Sequence, residues 1–237
     1  MTETIRLNKA LSILGICSRR DADRLIQTGE ITVNKKTITA LGSKVYYGDQ
    51  ITYNDKLYTL TKASKIKVWK YYKPNGLITT HRDEKNRPTV FDNIKTKISE
   101  RVISVGRLDL NSEGLLLITN NADFARLAES PKTAWERKYR VRCFGTINDA
   151  IIKQLESGIT ISGICYAPVE VNTIKTGDGK NFWIELTLRE GKNREIRKLM
   201  NYFDIQVNKL IRTKYGPYEL GDLKPGQIIQ CKKNFLI

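Results

Sequence analysis

The chain has 237 residues, of which 41 are lysine or arginine and 25 are aspartate or glutamate, so its formal net charge is +16. This length is enough for one large domain or for two smaller domains with separate hydrophobic cores. Because the positive charge is spread along the chain and is not gathered in a tail, it favours a polyanionic partner, most simply nucleic acid, over a basic protein that charge repulsion keeps soluble.

Several classes of protein are excluded by what the sequence lacks. It has no apolar run of about 18 residues or more, and its N-terminal segment lacks the layout of a signal peptide. Cys17, Cys143, Cys165 and Cys231 form no C-x-x-C pair, and together with the single His81 they make a poor zinc site. We therefore expect a soluble, cytoplasmic, monomeric protein without a metal, a cofactor or a membrane partner.

The first part of the chain has the pattern of a small domain with two helices and short strands. Apolar residues at helical spacing predict a helix over residues 7–14, and Ser18 is a good N-cap for a second helix that ends at Gly29. Short strands are predicted after the helices, at residues 31–33, 44–46 and 50–53. The domain is expected to span residues 1–62, followed by a linker at residues 63–66.

From residue 67 onwards the pattern changes to longer strands with helices between them. Strands are predicted at residues 68–72, 102–105, 115–119, 138–144 and 183–188. Helices are predicted at residues 122–129, 148–157 and 194–203. This order of elements predicts an α+β domain over residues 67–237, built around a mixed, mainly antiparallel sheet flanked by helices.

A polar loop with a glycine at each end, residues 106–114, joins two apolar strands and contains Asp109. An Asp-x-Asn-x-Glu spacing that starts at Asp109 imitates a calcium loop, but Asn120 stands where the glutamate ligand is required, so calcium is excluded. A helix cap at Asp109 or Ser112 is disfavoured because the residues that follow form a better strand. A plain turn and a functional carboxylate both remain open from the residues alone.

The predicted strand at residues 138–144 contains an aromatic residue with two possible roles. Tyr139 shares one face of the strand with Val141 and Cys143, and basic residues occupy the other face. Tyr139 is therefore either an ordinary core residue or a plate on which an unstacked base can rest.

The predicted helix at residues 194–203 carries Arg197 at the border of its apolar face. An arginine at such a border can run its stem along the core and present its guanidinium to a buried acid. An ordinary amphipathic helix with a solvated basic face explains the same pattern more simply. The Lys-Pro-Asn-Gly sequence at residues 73–76 indicates no more than a turn by itself.

Taken together, these segments resemble the RsuA/RluB-type pseudouridine synthases, which act on ribosomal RNA. Residues 6–11, 18–26 and 33–34 resemble a small RNA-binding domain first described in a ribosomal small-subunit protein. The later motifs of the family follow in its order, as KPNGLITT at residues 73–80, GRLD and EGLLL within residues 106–117, Lys138-Tyr139, and EGKNREIRK at residues 190–198.

The resemblance implies roles for individual residues. Asp109 corresponds to the family's nucleophilic aspartate, and Tyr139 to the tyrosine that stacks on the target uracil and assists proton removal. Arg197, or alternatively Arg194, corresponds to the basic partner that pairs with the aspartate and keeps it ionised. Arg107 is expected to help hold the place that the flipped nucleotide vacates. The chemistry that this implies requires no cofactor and no metal.

The remaining candidate residues are basic side chains expected to bind RNA phosphates, which gives an affinity that falls with salt. They are Arg6, Lys9, Arg19, Arg20, Arg24 and Lys73. Two positions depart from the family pattern. Lys35 stands where a glycine is usual, and Asn121-Ala122 replaces an Asp-Gly pair.

The substrate is less well defined than the chemistry. Residues 135–142 and 215–218 resemble the large-subunit RluB branch, so ribosomal RNA of the large subunit is the expected partner. Small-subunit ribosomal RNA, transfer RNA and a noncatalytic role in ribosome assembly are alternatives. A metal-dependent nuclease is disfavoured because the sequence has no acidic cluster. The particular uridine stays open, as does whether Asp109 first attacks the uracil ring or the ribose.

Overall fold

The computed structural model describes residues 3–61, 65–176, 180–232 and 235, with the backbone alone at residues 173–176. The chain divides into two compact units, Met1–Ile66 and Lys67–Ile237. Residues 63 and 64 of the expected linker lie outside the described residues. No helix in the described ranges is long and apolar enough to cross a membrane.

The first unit combines two helices with six short strands in its described part. The helices are α1 (Leu7–Ile13) and α2 (Arg19–Gln27), and the strands are β1 (Thr4–Arg6), β2 (Thr32–Val33), β3 (Lys36–Thr37), β4 (Lys44–Tyr46), β5 (Gln50–Tyr53) and β6 (Lys56–Thr59). Ser18 caps α2 as predicted, since its Oγ accepts a hydrogen bond from the backbone N–H of Asp21 at 3.1 Å. Strand β1 was not predicted. It precedes the helices and pairs antiparallel with β4.

The turn between β2 and β3 keeps a left-handed backbone although Lys35 replaces the expected glycine. The φ angle is 49° at Asn34 and 65° at Lys35. The Asn34 side chain donates a hydrogen bond to Oδ1 of Asp49 at 2.9 Å and accepts one from the N–H of Gln50 at 3.0 Å. These two bonds anchor the turn at Asn34, and Lys35 adopts the left-handed conformation next to it.

The second unit is built around one mixed sheet. The strands of this unit are β7 (Val68–Lys73), β8 (Ile103–Val105), β9 (Glu113–Thr119), β10 (Arg137–Phe144), β11 (Ile159–Ile161), β12 (Ile164–Tyr166), β13 (Glu170–Thr176), β14 (Asn181–Leu188), β15 (Gln206–Tyr215), β16 (Tyr218–Glu219) and β17 (Ile228–Gln230). Strands β11 and β12 pair with each other outside the main sheet. The main sheet has the order β13-β14-β10-β15-β9-β7-β17, with β8 beside β9 and β16 beside β15. Only the β9–β15 pairing is parallel among these described strands, so the predicted mixed, mainly antiparallel sheet is confirmed.

The helices of the second unit are α3 (Val90–Ile94), α4 (Ala122–Glu129), α5 (Asp149–Ser157) and α6 (Glu195–Tyr202). The departure at Asn121 has a local reason, because its Oδ1 accepts a hydrogen bond from the N–H of Phe124 at 2.7 Å and so caps α4. The expected start of the last helix was one residue early. Arg194 precedes α6 as its N-cap in a left-handed conformation, with φ of 53°.

The sequence pattern missed β15, which lies in the sheet between β10 and β9. This strand contains Lys209, Arg212 and Lys214 among its apolar residues, and Arg212 is buried. A charged side chain on the buried face breaks the alternation of apolar and polar residues by which a half-buried strand is recognised. The miss therefore results from the burial of Arg212.

Tyr139 packs against two hydrophobic clusters of the second unit. One cluster lies beneath α5 and α6 and includes Val141, Ile184, Leu186, Leu199 and Met200. The other includes Trp69, Tyr71, Val90, Leu116 and Ile118. Contact with both clusters restricts the rotamers of the Tyr139 side chain.

The parallel pairing of β9 with β15 depends on Gly114. Its φ is 98°, and a Cβ at this position would lie 2.3 Å from the carbonyl oxygen of Arg212. No side chain fits at such a distance from a backbone atom, so glycine permits the close approach of the two strands just after the loop that carries Asp109.

We predict that Gly114→Ala lowers the free energy of unfolding by about 3 kcal/mol or more, because positive φ and a backbone clash act together. Urea unfolding followed by circular dichroism measures the change. Gly221→Ala is the matched control, since Gly221 has φ of 59° and nothing within 4 Å of an added Cβ. It should cost only about 1 kcal/mol. Equal losses in the two variants would contradict the close-approach argument.

Candidate active site

The loop that carries Asp109, residues 108–112, is held by hydrogen bonds to its backbone carbonyl groups. Thr79 Oγ1 donates to the carbonyl of Leu108 at 2.8 Å, and the N–H of Gly76 donates to the carbonyl of Leu110 at 3.0 Å. The carbonyl of Asp109 accepts a hydrogen bond from the N–H of Ser112 at 3.1 Å and closes a turn. These hydrogen bonds hold the backbone of the loop in one conformation.

Lys73 is not a phosphate-binding residue, and this corrects the prediction from the sequence. It is the last residue of β7, its exposed fraction is 0%, and its Nζ donates to the carbonyl groups of Leu110 at 3.3 Å and Ser112 at 2.8 Å. Burial lowers the pKa of Lys73 to about 8, while the charges of Asp109 and Glu113 act in the opposite direction. Lys73 therefore supports the Asp109 loop from beneath.

Arg197 does not form the expected ion pair with Asp109. Its Nη2 donates to the carbonyl of Asn111 at 2.7 Å and its Nη1 to the carbonyl of Val207 at 3.0 Å. Within the described part of the chain, neither Arg197 nor Arg194 makes a salt bridge to Asp109. Burial and then the charge of Arg194 lower the pKa of Arg197, and the charge of Asp109 opposes this change. Arg197 thus influences Asp109 through its field and through the loop backbone.

Tyr139 lies near the start of β10, between Leu186 on β14 and Arg212 on β15. It is half-buried, and it lies on the opposite face of its strand from Lys138, whose Nζ pairs with Glu185 at 3.0 Å. The alternation predicted from the sequence is therefore present, with Tyr139 inward and the basic residues of the strand outward.

Arg107, which lies two residues before Asp109, is exposed.

A cavity of about 670 Å³ brings these residues together. Five of the residues predicted from the sequence contribute to its lining: Arg107, Asp109, Tyr139, Arg194 and Arg197. They come from the Asp109 loop, from β10 and from the start of α6, which are far apart in the sequence. A cavity of this size can hold one nucleotide and part of its neighbours.

The predicted RNA-binding residues of the first unit lie on its surface. Arg6, Arg19, Arg20 and Arg24 are exposed, and Lys9 is half-buried. Nη2 of Arg19 is 3.5 Å from Oδ1 of Asn8, so the start of α2 is linked to α1. These side chains are placed as phosphate contacts require, whereas Lys73 is not.

The unpredicted residues of the cavity wall include Arg137, Arg212 and Tyr215, which contact one another. The guanidinium carbons of Arg137 and Arg212 lie 4.9 Å and 4.8 Å from the centre of the Tyr215 ring, within cation–π range. Arg137 could have been found, because it is two residues from Tyr139 and shares its face of the strand. Nothing in the sequence distinguishes the buried Arg212 from a solvated arginine.

The mixed sheet and this cavity define the class of protein. A crystal structure of a pseudouridylate synthase has the same fold, with a TM-score of 0.67, 22% sequence identity and coverage of 96% of both chains. The chain belongs to the RNA pseudouridylate synthase family, whose model matches residues 67–202, and it carries an S4 domain at residues 5–51. It is thus an isomerase that acts on RNA, and the resemblance seen in the sequence is confirmed.

Two relatives illustrate the similarity. An uncharacterized RNA pseudouridine synthase of Rickettsia felis is 46% identical, over 98% of both chains. The ribosomal large subunit pseudouridine synthase B of Pasteurella multocida is 38% identical, over 93% of this chain and 64% of the relative. The similarity therefore covers both units of the chain.

We predict that Lys73→Met lowers the free energy of unfolding by about 2 kcal/mol and turnover by about a hundredfold, because buried carbonyl groups lose their donor and the Asp109 loop shifts. The salt dependence of RNA binding should not change, since Lys73 cannot reach a phosphate. Titrations of the protein with RNA at several salt concentrations measure this salt dependence.

Arg20→Ala, which removes an exposed cation of the first unit, is the comparison for this variant. It should reduce the slope of log affinity against log salt by about 0.7 and leave the stability of the second unit unchanged. A similar loss of slope in Lys73→Met would contradict its structural role.

Proposed function

We propose that the chain converts a uridine of ribosomal RNA, in the large subunit, to pseudouridine, with Asp109 as the nucleophile. The observation that carries the proposal is the convergence of Asp109, Tyr139 and Arg197 on one cavity. The choice of large-subunit RNA is supported by the 38% identity to a protein named ribosomal large subunit pseudouridine synthase B.

The reaction fits the side chains of the cavity. The bond between the ribose C1′ and the uracil N1 breaks, and a bond between C1′ and C5 forms. The proton on C5 leaves and N1 gains one, so the reaction conserves all atoms and consumes no second substrate. It needs a positioned carboxylate and a surface that holds the detached uracil while it turns. Asp109 supplies the carboxylate, and Tyr139 supplies the surface.

The target uridine must leave its stack to reach Asp109, which costs a few kcal/mol. Stacking of the uracil on Tyr139, worth about 1–3 kcal/mol, offsets much of this cost. Because two hydrophobic clusters hold Tyr139, its ring needs little reordering when the base arrives. Arg107 is exposed next to the loop and holds the place that the base has left.

Two cations act on Asp109 without binding its carboxylate directly. Lys73 and Arg197 each hold a carbonyl group of the loop, and their charges interact with that of Asp109. This arrangement places two positive charges near Asp109 and holds the backbone of its loop. It also avoids a bidentate pair, which would occupy both carboxylate oxygens before the substrate arrives.

The two parts of the chain have different roles in this proposal. Residues 1–62 form an RNA-binding domain whose exposed arginines contact phosphates, and residues 67–237 carry the catalytic site. Phosphate contacts position an RNA without reading its sequence, so the N-terminal domain contributes affinity and orientation. The base itself is recognised in the cavity.

We predict that Asp109→Asn lowers pseudouridine formation at least about a thousandfold, because an amide cannot replace the nucleophilic carboxylate. RNA binding should stay within about twofold of wild type, since the fold and the basic residues are unchanged. Release of tritium from C5-labelled uridine in ribosomal RNA measures turnover. Asp123→Asn, which changes an exposed carboxylate on α4, is the control and should be fully active.

Complementation in cells tests the Asp109→Asn variant on the natural substrate. A strain that lacks the protein should lose a pseudouridine from large-subunit ribosomal RNA, and the wild-type gene but not the Asp109→Asn gene should restore it. Near-normal turnover in Asp109→Asn would reject the nucleophile. A pseudouridine missing from small-subunit or transfer RNA instead would reject the substrate.

We predict that Arg197→Ala lowers turnover about a hundredfold or more, and that Arg194→Ala lowers it about tenfold or less. Arg197 binds the carbonyl of Asn111 and is half-buried, whereas Arg194 is exposed and makes no such bond among the described contacts. Single-turnover rates at saturating enzyme separate this effect from RNA binding. A larger loss in Arg194→Ala would show that the assignment of the two arginines is reversed.

A further inference from the structure

Glu195 is a buried acid that the proposed chemistry does not use. It is the first residue of α6, its exposed fraction is 5%, and it lines the same cavity as Asp109. Its Oε2 accepts a hydrogen bond from the N–H of Lys192 at 2.9 Å, but its buried Oε1 has no hydrogen-bond donor in the described part of the chain. A buried carboxylate oxygen without a donor is costly, so the arrangement calls for an explanation.

The explanation lies in the neighbouring carboxyl group of Glu190, which also lines the cavity. Glu190 accepts a hydrogen bond from the N–H of Ala167 at 2.8 Å and forms a salt bridge with Lys192. Lys192 brings Glu190 and Glu195 together, since its backbone N–H donates to Glu195 and its Nζ pairs with Glu190. Each carboxyl group also shifts the pKa of the other, as expected for two acids that face each other. Two carboxylates repel, and such a contact is stable only when one proton lies between them.

The charges around the two groups place this proton on Glu195. Burial and then the contact with Glu190 raise the pKa of Glu195. Burial also acts to raise the pKa of Glu190, but hydrogen bonds from Lys192 and from the N–H of Ala167 outweigh it, so the pKa of Glu190 is lowered. Glu195 is thus the proton donor and Glu190 the ionised acceptor, balanced by Lys192.

The elements packed against the two carboxyl groups add few other charges. Lys192, from the loop before α6, faces both of them and lies 5.6 Å from the ring of Tyr166 on β12. The segment after β12 contributes the backbone N–H of Ala167, which donates to Glu190. Arg137 on β10 approaches Gly191, since its guanidinium carbon would lie 3.6 Å from a Cβ added to that glycine. Lys192 is therefore the cation that interacts most directly with the pair.

The position of the pair links it to the Asp109 loop. Hydrogen bonds among Glu190, Lys192 and Glu195 hold the segment before α6 against its first turn. Arg197 follows two residues later and donates to the carbonyl of Asn111 at 2.7 Å, inside the loop. A shift at the start of α6 therefore moves the guanidinium that supports Asp109, and small shifts at a catalytic group have large effects on rate.

We propose that Glu190 and Glu195 act as a proton-sharing pair that holds the start of α6, and through Arg197 the Asp109 loop, in the active position. Both are positioning residues, and loss of the shared proton releases the loop. The proposal rests on the proposed function, in which Asp109 is the nucleophile. It adds that turnover depends on a proton that never reaches the substrate.

The test compares turnover in wild type and in Glu195→Gln, from about pH 6 to about pH 9. A glutamine amide donates to Glu190 at every pH and keeps an oxygen for the N–H of Lys192, so it imitates the protonated glutamate. Wild-type turnover should fall about tenfold per pH unit once the pair loses its proton, whereas Glu195→Gln should stay level and match wild type within about threefold at the acidic end. If turnover falls in the same way with rising pH in wild type and in Glu195→Gln, the proposal is overturned.

Two further variants make the comparison specific. Glu156→Gln changes an exposed glutamate on α5 and should keep the wild-type profile. Glu190→Gln removes the ionised acceptor, so the pKa of Glu195 should return towards its ordinary value. The fall in turnover should therefore begin at a lower pH than in wild type. If turnover in Glu190→Gln falls at the same pH as in wild type, the two carboxyl groups do not share a proton.

Thermal unfolding tests the pair without using activity. The raised pKa of Glu195 means that the folded chain keeps a proton that the unfolded chain loses, so this contribution to stability is complete below the ordinary glutamate pKa and is lost as pH rises through the raised pKa. The melting temperature of wild type should fall relative to that of Glu195→Gln across this interval. Parallel curves would reject the pair, whereas an active Asp109→Asn variant would reject the nucleophile alone.

Discussion

The constraint on which the catalytic unit depends is the need to bond the carbonyl groups of one loop, residues 108–112. This loop leads into β9 without a strand partner of its own, and carbonyl groups left without donors would destabilise it. Thr79, Lys73 and Arg197 supply the donors. Since these residues come from different segments, the loop takes its active position only when the sheet and α6 have packed against each other.

Two of these donors are cations, and this links the support of the backbone to electrostatics. Lys73 and Arg197 bind carbonyl oxygens, yet both carry a charge that acts on Asp109. A cation that contacts a carboxylate directly occupies its lone pairs, whereas a cation held beside it contributes its field and leaves those lone pairs free. This arrangement is compatible with the nucleophilic role proposed for Asp109.

The proposed pair of Glu190 and Glu195 extends the same principle to the other side of α6. There an acid is buried beside another acid, and the arrangement is stable because a proton and Lys192 balance the charges. Polar groups are thus held in the wall of the cavity by other polar groups, while Tyr139 is held by two hydrophobic clusters. Gly114 completes the frame by letting β9 approach β15 closely.

The sequence by itself determined every described α-helix except α3, most of the longer strands and the family motifs, because these depend on local periodicity and on short runs of particular residues. It nominated Asp109, Tyr139 and Arg197, and the structure places all three on one cavity. Only the tertiary structure decided that Lys73 supports the loop, that Arg212 is buried in an unpredicted strand and that Glu195 lies beside Glu190. The local sequence does not distinguish a buried charged residue from a solvated one, since burial depends on distant segments that pack over the residue.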